Sequence, residues 1–146
     1  MAIDYEKYLV RNPVYGADAG TGTTFLSSRQ IPETSYYLEL GWVNAMPHPA
    51  PDFQERPHDC DEIMLFFGGD YRKPQVLGGE IEFSIGGQPI TFNTTTGIFI
   101  PKGTPHGPLR CKEYRQPHIV MAIMCGAGSL KEGWGDSFVP QPTDST

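Results

Sequence analysis

The stretch from Arg56 to Gly69 reads Arg-Pro-His-Asp-Cys-Asp-Glu-Ile-Met-Leu-Phe-Phe-Gly-Gly. Its histidine, His58, comes four residues before Glu62, and this spacing places two side chains on one face of either a strand or a helix. Pro57, the strand-forming Ile and Phe residues and the closing pair of glycines favour a strand. We therefore expect Arg56, His58 and Glu62 to point the same way, with an apolar strand running on behind them.

A second stretch supplies another histidine directly after a predicted strand. From Ile98 to Leu109 the chain reads Ile-Phe-Ile-Pro-Lys-Gly-Thr-Pro-His-Gly-Pro-Leu, in which the histidine is His106. Iron and manganese ions favour two imidazoles and one carboxylate, a set that leaves positions open for water, oxygen or substrate. Each residue alone has a plainer explanation: His58 and Glu62 could be the solvated start of a strand, and His106 a loop histidine bonded to the backbone. We predict that the two stretches meet in space and hold a metal ion.

The composition favours a single all-β domain. The chain has 146 residues, of which 17 are glycine and 14 are proline, so it must contain many turns and short elements. Hydrophobic residues make up 38% of the chain and aromatic residues 12%, which is enough to drive collapse and argues against disorder.

Charge and cysteine content exclude several classes of function. The formal net charge is -6 and there is no basic cluster, which disfavours nucleic acid as a partner. No apolar stretch of about 20 residues and no charged-then-apolar N-terminus is visible, so we expect no membrane span and no secretion signal. Three cysteines, an odd number, fit a reducing cytoplasm better than a disulfide framework.

Hydrophobic patterns predict five or six strands joined by tight turns, as in a barrel or a sandwich. The clearest alternation lies between Gly79 and Gln88, where Ile, Phe and Ile alternate with Glu, Glu and Ser before a Gly-Gly hairpin signal. Loops are predicted at 16–24 and 107–116, and residues 4–10 could form either a short helical turn or an edge strand. Further strands are predicted at 36–43, 89–92, 98–100 and 118–124.

Several other residues could contribute to a site but have plainer readings. Tyr36, Tyr37 and Trp42 are expected to pack the barrel, although the strand alone does not indicate which of its faces is inside. His118 opens an apolar strand and is expected to be a core histidine with its hydrogen bonds satisfied. Cys60 is expected to be a small buried residue.

The spacing His58-x3-Glu62-x6-Gly69 resembles the first motif of the cupin superfamily, and the segment from Gly97 through Pro101-x-Gly103-x2-His106 resembles the second. The resemblance covers about residues 36–125. It implies a small single-domain (monocupin) protein with a double-stranded β-helix, or jelly-roll, barrel and a metal inside one mouth. Residues 1–35 would then be an arm packing on the barrel or on a partner subunit, and 126–146 a tail. The resemblance also implies a homodimer.

Two departures from the family pattern bear on the site. Arg56 stands where the first motif usually opens with a histidine, and Arg110 where the second often ends with asparagine. His58, Glu62 and His106 would then form a three-ligand site for one Fe2+, Mn2+ or Zn2+ ion, with His48 as a potential fourth ligand. Arg56 could grip an anionic group of a substrate, pair with an acidic neighbour, or replace the metal altogether.

The expected function is that of a metal-dependent cupin enzyme acting on a small organic molecule, with Arg56 favouring an anionic one. The family hosts oxygenases, isomerases, lyases and decarboxylases, so the fold does not select the reaction. No general base can be assigned from the sequence. The alternative is a non-catalytic barrel that binds a small molecule or a metal.

Overall fold

The computed structural model describes residues 2–13, 22–47 and 56–135. These residues form a short 3-10 helix, eight strands and one short α-helix. In chain order the elements are the 3-10 helix Tyr5–Tyr8, β1 (Thr23–Leu26), β2 (Tyr36–Val43), β3 (Asp61–Gly68), β4 (Val76–Ile85), β5 (Gln88–Thr94), β6 (Thr96–Ile100), β7 (His106–Tyr114), β8 (His118–Cys125) and α1 (Leu130–Trp134). Neither helix in these ranges is long and apolar enough to cross a membrane.

Two antiparallel sheets build the molecule. The larger has the strand order β1-β2-β8-β3-β6 and the smaller the order β5-β4-β7. Three of the four neighbouring pairs in the larger sheet, and the β4-β7 pair in the smaller, join strands that are not consecutive in the chain. This arrangement is that of a jelly roll, and the predicted all-β barrel is therefore confirmed. The core lies between the sheets and consists of buried side chains from both, namely Met64, Phe66, Leu77, Ile81, Phe83 and Ile100.

Strand β4 follows the alternation read from the sequence. Ile81 and Phe83 are buried against the core, whereas Glu80 and Glu82 are only half-buried on the other face. The chain then reverses into β5 at two glycines with positive φ angles of 56° and 79°, a conformation that side chains with a Cβ rarely adopt. The predicted hairpin is confirmed.

Two predicted loops are in part strands. The prediction of a loop at 107–116 is wrong, because β7 runs through most of it and pairs with β4. Leu109 and Cys111 pack against the core while Arg110 and Lys112 are exposed, so this strand is half solvated and its charged residues obscure the pattern. The loop predicted up to residue 24 is also wrong at its end, because Thr23 begins the edge strand β1.

Strand β3 has an inner and an outer face. Glu62, Met64 and Phe66 are buried, and the residues between them are half-buried on the opposite side. Because Glu62 is the second residue of this strand, its carboxylate lies at one end of the barrel, next to the turn that links β6 to β7. At residues 4–10 the structure has the helical turn rather than an edge strand.

Candidate metal centre

Backbone hydrogen bonds hold together the two stretches that the sequence singled out. Arg56 and His106 exchange N–H···O bonds of 3.1 and 3.3 Å, and the N–H of Gly103 donates to the carbonyl of His58 at 2.9 Å. The N–H of Lys102 donates to a carboxylate oxygen of Asp61 at 2.8 Å. The predicted meeting of the segment near position 60 with the turn near position 105 is therefore confirmed.

The predicted trio of side chains converges on one carboxylate oxygen. The Nδ1 atom of His58 lies 2.8 Å from Oε2 of Glu62, and the Nε2 atom of His106 lies 2.9 Å from the same oxygen. One candidate ligand atom from each residue lies within 4.8 Å of the other two. The three residues are 9%, 5% and 9% exposed, so the cluster is almost closed off from solvent.

His58 reaches this position without being part of a strand, contrary to the strand predicted from Arg56 onward. Arg56 pairs with β7 of the small sheet, whereas Asp61 already pairs with β8 of the large sheet. The chain between them crosses from one sheet to the other, and Pro57, which has no N–H, cannot donate a hydrogen bond to either ladder. His58 lies on this crossing, and its side chain still meets Glu62.

The orientation of His106 is fixed by a second hydrogen bond. Its Nδ1 atom lies 2.8 Å from the carbonyl oxygen of Thr104. Only an N–H can bond a carbonyl oxygen, so Nδ1 carries a proton and Nε2 is directed at the cluster. A metal-binding imidazole typically donates its other N–H to a carbonyl in this way. Thr104, which the sequence gave no reason to select, thus orients a candidate ligand.

The charge of Glu62 reflects a balance between burial and hydrogen bonding. Burial alone would raise the pKa of its carboxyl group, but the bonds from His106 and His58 outweigh that effect and hold the pKa below its usual value. An ionised carboxylate and two imidazoles are the donors that iron, manganese and zinc accept. The residues present therefore fit a divalent ion of this kind.

A tryptophan from the end of the described chain closes the cluster. The ring of Trp134 stacks on that of His58, with 5.3 Å between ring centroids and 18° between planes. Helix α1 is docked by the carbonyl of Gly133, which accepts the N–H of Asp59 at 2.6 Å. The sequence contains one signal for this helix, since Ser129 caps the N–H of Glu132 as in a capping box. The stacking itself has no sequence signal.

Two other residues that the sequence singled out, Arg56 and Cys60, are not part of the His-Glu-His cluster. The direct backbone pairing of Arg56 with His106 places both side chains on the same face of the small sheet. Cys60 is 6% exposed and packs in a cluster with Tyr37, Met124 and Leu130, as expected for a small buried residue. His48 lies outside the described residues.

His118 is buried far from the trio, at the other end of β3, where it faces Gly68. Its Nδ1 atom bonds the carbonyl of Gln116 at 3.1 Å, whereas Nε2 has no hydrogen-bond partner. The expectation of a core histidine is confirmed. The expectation that both its ring nitrogens are satisfied is wrong.

Three solved structures illustrate what this chain is similar to. The DMSP lyase DddQ from Ruegeria pomeroyi DSS-3 is 22% identical with a TM-score of 0.38, over 63% of this chain and 39% of that chain. Cobalt(II) HppE in complex with Tris buffer is 14% identical with a TM-score of 0.46, over 72% of this chain and 52% of that chain. An RmlC-like cupin from Shewanella frigidimarina NCIMB 400 is 13% identical with a TM-score of 0.46, over 81% and 93%. This chain therefore spans less than two thirds of DddQ and of HppE. No protein-family model and no curated protein sequence matches it.

Fold and site together define a class of protein. Two facing antiparallel sheets enclose the core, as the jelly roll implied by the two motifs requires. The molecule is a small cupin-like β-barrel with a His-Glu-His group that could hold a metal ion at one mouth. The geometry of that group, rather than the distant similarities, supports the function proposed below.

Proposed function

We propose that this protein is a metal-dependent enzyme acting on a small anionic organic molecule. His58, Glu62 and His106 would hold one Fe2+, Mn2+ or Zn2+ ion. The observation that carries the proposal is the convergence of two imidazoles and one carboxylate, all nearly buried, with candidate ligand atoms within 4.8 Å of one another. When bound, the ion would act as a Lewis acid or activate oxygen.

Each residue of the site has a separate part in this proposal. Glu62 supplies the negative charge, and its lowered pKa favours the ionised form that a metal requires. His106 is held by Thr104 so that Nε2 faces the ion position. Trp134 covers one side of His58 and excludes water from it. No residue is assigned as general base.

Arg56 is proposed to bind the anionic group of the substrate. Support comes from its direct pairing with His106, because side chains of residues directly opposite each other in an antiparallel pair share a face. A guanidinium at the rim of the site would bind a carboxylate or phosphate through two parallel hydrogen bonds. The class of substrate therefore follows from the position of this arginine.

The assembly and setting of the enzyme are also proposals. We propose a barrel of residues 36–125, an N-terminal arm of residues 1–35 that packs on the barrel or a partner subunit, and a tail of 126–146. Two copies would form a homodimer. The free thiols of Cys60, Cys111 and Cys125 support a reducing compartment such as the cytoplasm.

Metal content tests the central proposal. Protein purified without chelator and analysed by inductively coupled plasma mass spectrometry should contain about one equivalent of iron, manganese or zinc per chain. His106→Ala should empty the site, since it removes one of three ligands. His48→Ala is the matched control: retention of metal indicates a three-ligand site, and loss indicates that His48 is a fourth ligand.

Two results would contradict the enzyme proposal. If the purified protein and the His106→Ala variant contain no metal, and neither binds Fe2+, Mn2+ or Zn2+ by calorimetry, the trio is not a metal site. If the wild-type protein and the His106→Ala variant bind phosphate or simple carboxylates equally well, the result supports the alternative, a metal-free binding barrel in which Arg56 takes the place of a ligand.

Anion binding tests the role of Arg56 separately. Titration of the metal-loaded protein with phosphate and acetate, followed by thermal shift, should show weaker binding in Arg56→Gln by at least about tenfold. Arg72→Gln is the control, because Arg72 is exposed and pairs with Asp70 on the surface. Equal loss in both variants would indicate a general charge effect instead of a site.

A further inference from the structure

The candidate metal centre is nearly closed off, although its proposed role requires exchange with solvent. His58, Glu62 and His106 are at most 9% exposed. An ion held by two imidazoles and one carboxylate keeps positions open for water, oxygen or substrate, and these must reach it. Some part of the protein that covers the three side chains must therefore move.

Two aromatic rings of the described residues, apart from the histidines themselves, contact the cluster, and they are held differently. The ring centroid of Phe83 lies 6.0 Å from that of His106, and Phe83 is 2% exposed in the core between the sheets. Phe83 belongs to β4, which is paired on both sides, so it cannot move without opening the small sheet. Trp134, which stacks on His58, belongs to helix α1 outside both sheets. Trp134 is therefore the part of the cover that can move.

The chain that leads from β8 to helix α1 is anchored to the barrel before the helix begins. The N–H of Gly126 donates to the carbonyl of Ser35 at 2.8 Å, and the carbonyl of Gly128 accepts the N–H of Ser28 at 2.8 Å. A Cβ added at Gly128 would lie 2.6 Å from the Cβ of Ser28, so the chain is tightly packed at this point. We call the residues beyond this anchor, 129–135, the terminal turn.

The terminal turn is held together by its own hydrogen bonds. The Oγ atom of Ser129 accepts the N–H of Glu132 at 3.1 Å, and a carboxylate oxygen of Glu132 accepts the N–H of Gly128 at 3.1 Å. The N–H of Gly133 donates to the carbonyl of Ser129 at 3.0 Å. A helix of five residues is too short to be stable in water alone, but this capping lets it move as one piece.

The attachment of the terminal turn to the barrel is small compared with that of a strand. The carbonyl of Gly133 accepts the N–H of Asp59 at 2.6 Å, the side chain of Leu130 is 4% exposed, and the ring of Trp134 lies on His58. By contrast, Met64 in the middle of β3 is paired with strands on both sides. Segments with few contacts open locally far more often than the sheets of the same protein. The terminal turn is such a segment.

Gly133 allows the terminal turn to lie close to the barrel. A Cβ added there would lie 2.5 Å from Sδ of Met124 and 3.2 Å from Sγ of Cys60, closer than folded proteins permit for the first of these. Even one methyl group at this position would therefore push the turn outward. A Cβ added at Gly97 on β6, in comparison, would lie 3.4 Å from a methyl group of Leu65, an ordinary contact.

We propose that the terminal turn is the gate of the candidate metal centre. It swings away from His58 beyond the anchor at Gly128 and carries Trp134 with it, and the ion and small molecules enter by the path that this opens. The inference rests on the function proposed above and adds the segment that controls access to the site. The sheets that hold the three candidate ligands stay closed throughout.

Hydrogen exchange followed by NMR tests the opening without any metal. In the wild-type protein the main-chain N–H of Asp59, whose acceptor is on the terminal turn, should exchange at least about 100-fold faster than that of Met64. Gly133→Ala should speed exchange at Asp59 further and leave Met64 unchanged. Equally slow exchange at Asp59 and Met64 in the wild-type protein would overturn the gate.

The rate of metal release tests whether this opening is the route to the site. Protein loaded with Zn2+ is mixed with a chromogenic chelator at concentrations where the rate no longer depends on the chelator. Gly133→Ala, and Ser129→Ala, which removes the helix cap, should each release Zn2+ at least about tenfold faster than wild type. Uptake by the metal-stripped variants should accelerate by a similar factor, so the dissociation constant changes less than either rate. Gly97→Ala is the matched control and should behave as wild type.

The two measurements together separate the gate from the metal site. In Gly133→Ala the acceleration of Zn2+ release should match that of exchange at Asp59, because both report the same opening. Unchanged release in both loosened variants, or equal acceleration in Gly97→Ala, would overturn the gate and leave the proposed metal site standing. A wild-type protein that binds no Zn2+, Fe2+ or Mn2+ would overturn the proposed function and the gate together, and metal analysis detects that case by itself.

Discussion

The inner and outer faces of strand β3 carry side chains whose burial does not follow their polarity. On the inner face the carboxylate Glu62 is 5% exposed, as deeply placed as many core residues. On the outer face, the next residue, Ile63, is only half-buried. A buried charge without partners would be costly, so Glu62 is tolerated because two imidazoles bond it. A buried carboxylate and a partly exposed aliphatic face both depart from the usual distribution, in which charged side chains face solvent and aliphatic ones are buried. Both departures indicate function.

Two adjacent phenylalanines test the comparison most severely. Phe66→Ala should lower the free energy of unfolding by about 3–5 kcal/mol, because its ring is fully buried and contacts Phe92. Phe67→Ala, one residue further on the outer face, should cost less than about 1 kcal/mol. Urea unfolding, carried out at a protein concentration low enough to dissociate dimers, gives the free energy of unfolding of both variants. Equal losses would mean that the outer face is covered within one chain.

The next largest effect is on metal affinity, compared between a substitution on the inner face of β3 and one on its outer face. Glu62→Gln preserves shape but removes the charge, and it should weaken Zn2+ or Mn2+ binding at least about 100-fold, or about 2.7 kcal/mol. Ile63→Ala changes the neighbouring outer residue and should leave the affinity as it is. Calorimetry on metal-stripped protein compares the two. A similar loss in Ile63→Ala would place the effect in the fold rather than in the site.

Substitution of the two tryptophans should change metal affinity less than Glu62→Gln does, and only on the side of the candidate site. Trp134 stacks on His58, so Trp134→Leu should weaken metal binding by about tenfold, while Trp134→Phe should retain most of the affinity. Trp42→Phe on the outer face should have no effect. Since the chain has only two tryptophans, Trp42→Phe also leaves Trp134 as the sole tryptophan, whose fluorescence can be excited selectively at about 295 nm. Its emission should then be quenched by Co2+ if the ion binds beside His58.

Thiol reactivity is the mildest test. Burial, followed by the nearby charge of Glu62, raises the pKa of the Cys60 thiol to about 11. At pH 8 only about one Cys60 thiol in a thousand would be ionised, and the alkylation rate should rise about tenfold per pH unit below 11. Cys125 is only partly buried, so it should react sooner with iodoacetamide. Peptide mapping by mass spectrometry identifies the site, with Cys60→Ser as the control. Faster labelling at Cys60 would contradict its inner position.

Much of the fold was predictable where one face of a strand is apolar and the other polar. Ile81 and Phe83 alternate with glutamates, and the structure buries them as expected. Strand β7 escaped prediction because Pro108 and its charged residues resemble a loop, and only pairing with β4 makes it a strand. Tyr37 and Trp42 lie on one strand rich in aromatics, and register with β8 alone decided that the first is buried and the second exposed.

By itself, the sequence determined the three candidate ligands. His58, Glu62 and His106 were recognisable because their spacing and chemistry are local properties of two short stretches. Only the tertiary structure decided what surrounds them. The crossing between sheets at His58, the support of His106 by Thr104 and the cover by Trp134 depend on pairings between segments far apart in the chain. Such contacts are set by how two sheets fold over one core, and no local pattern encodes them.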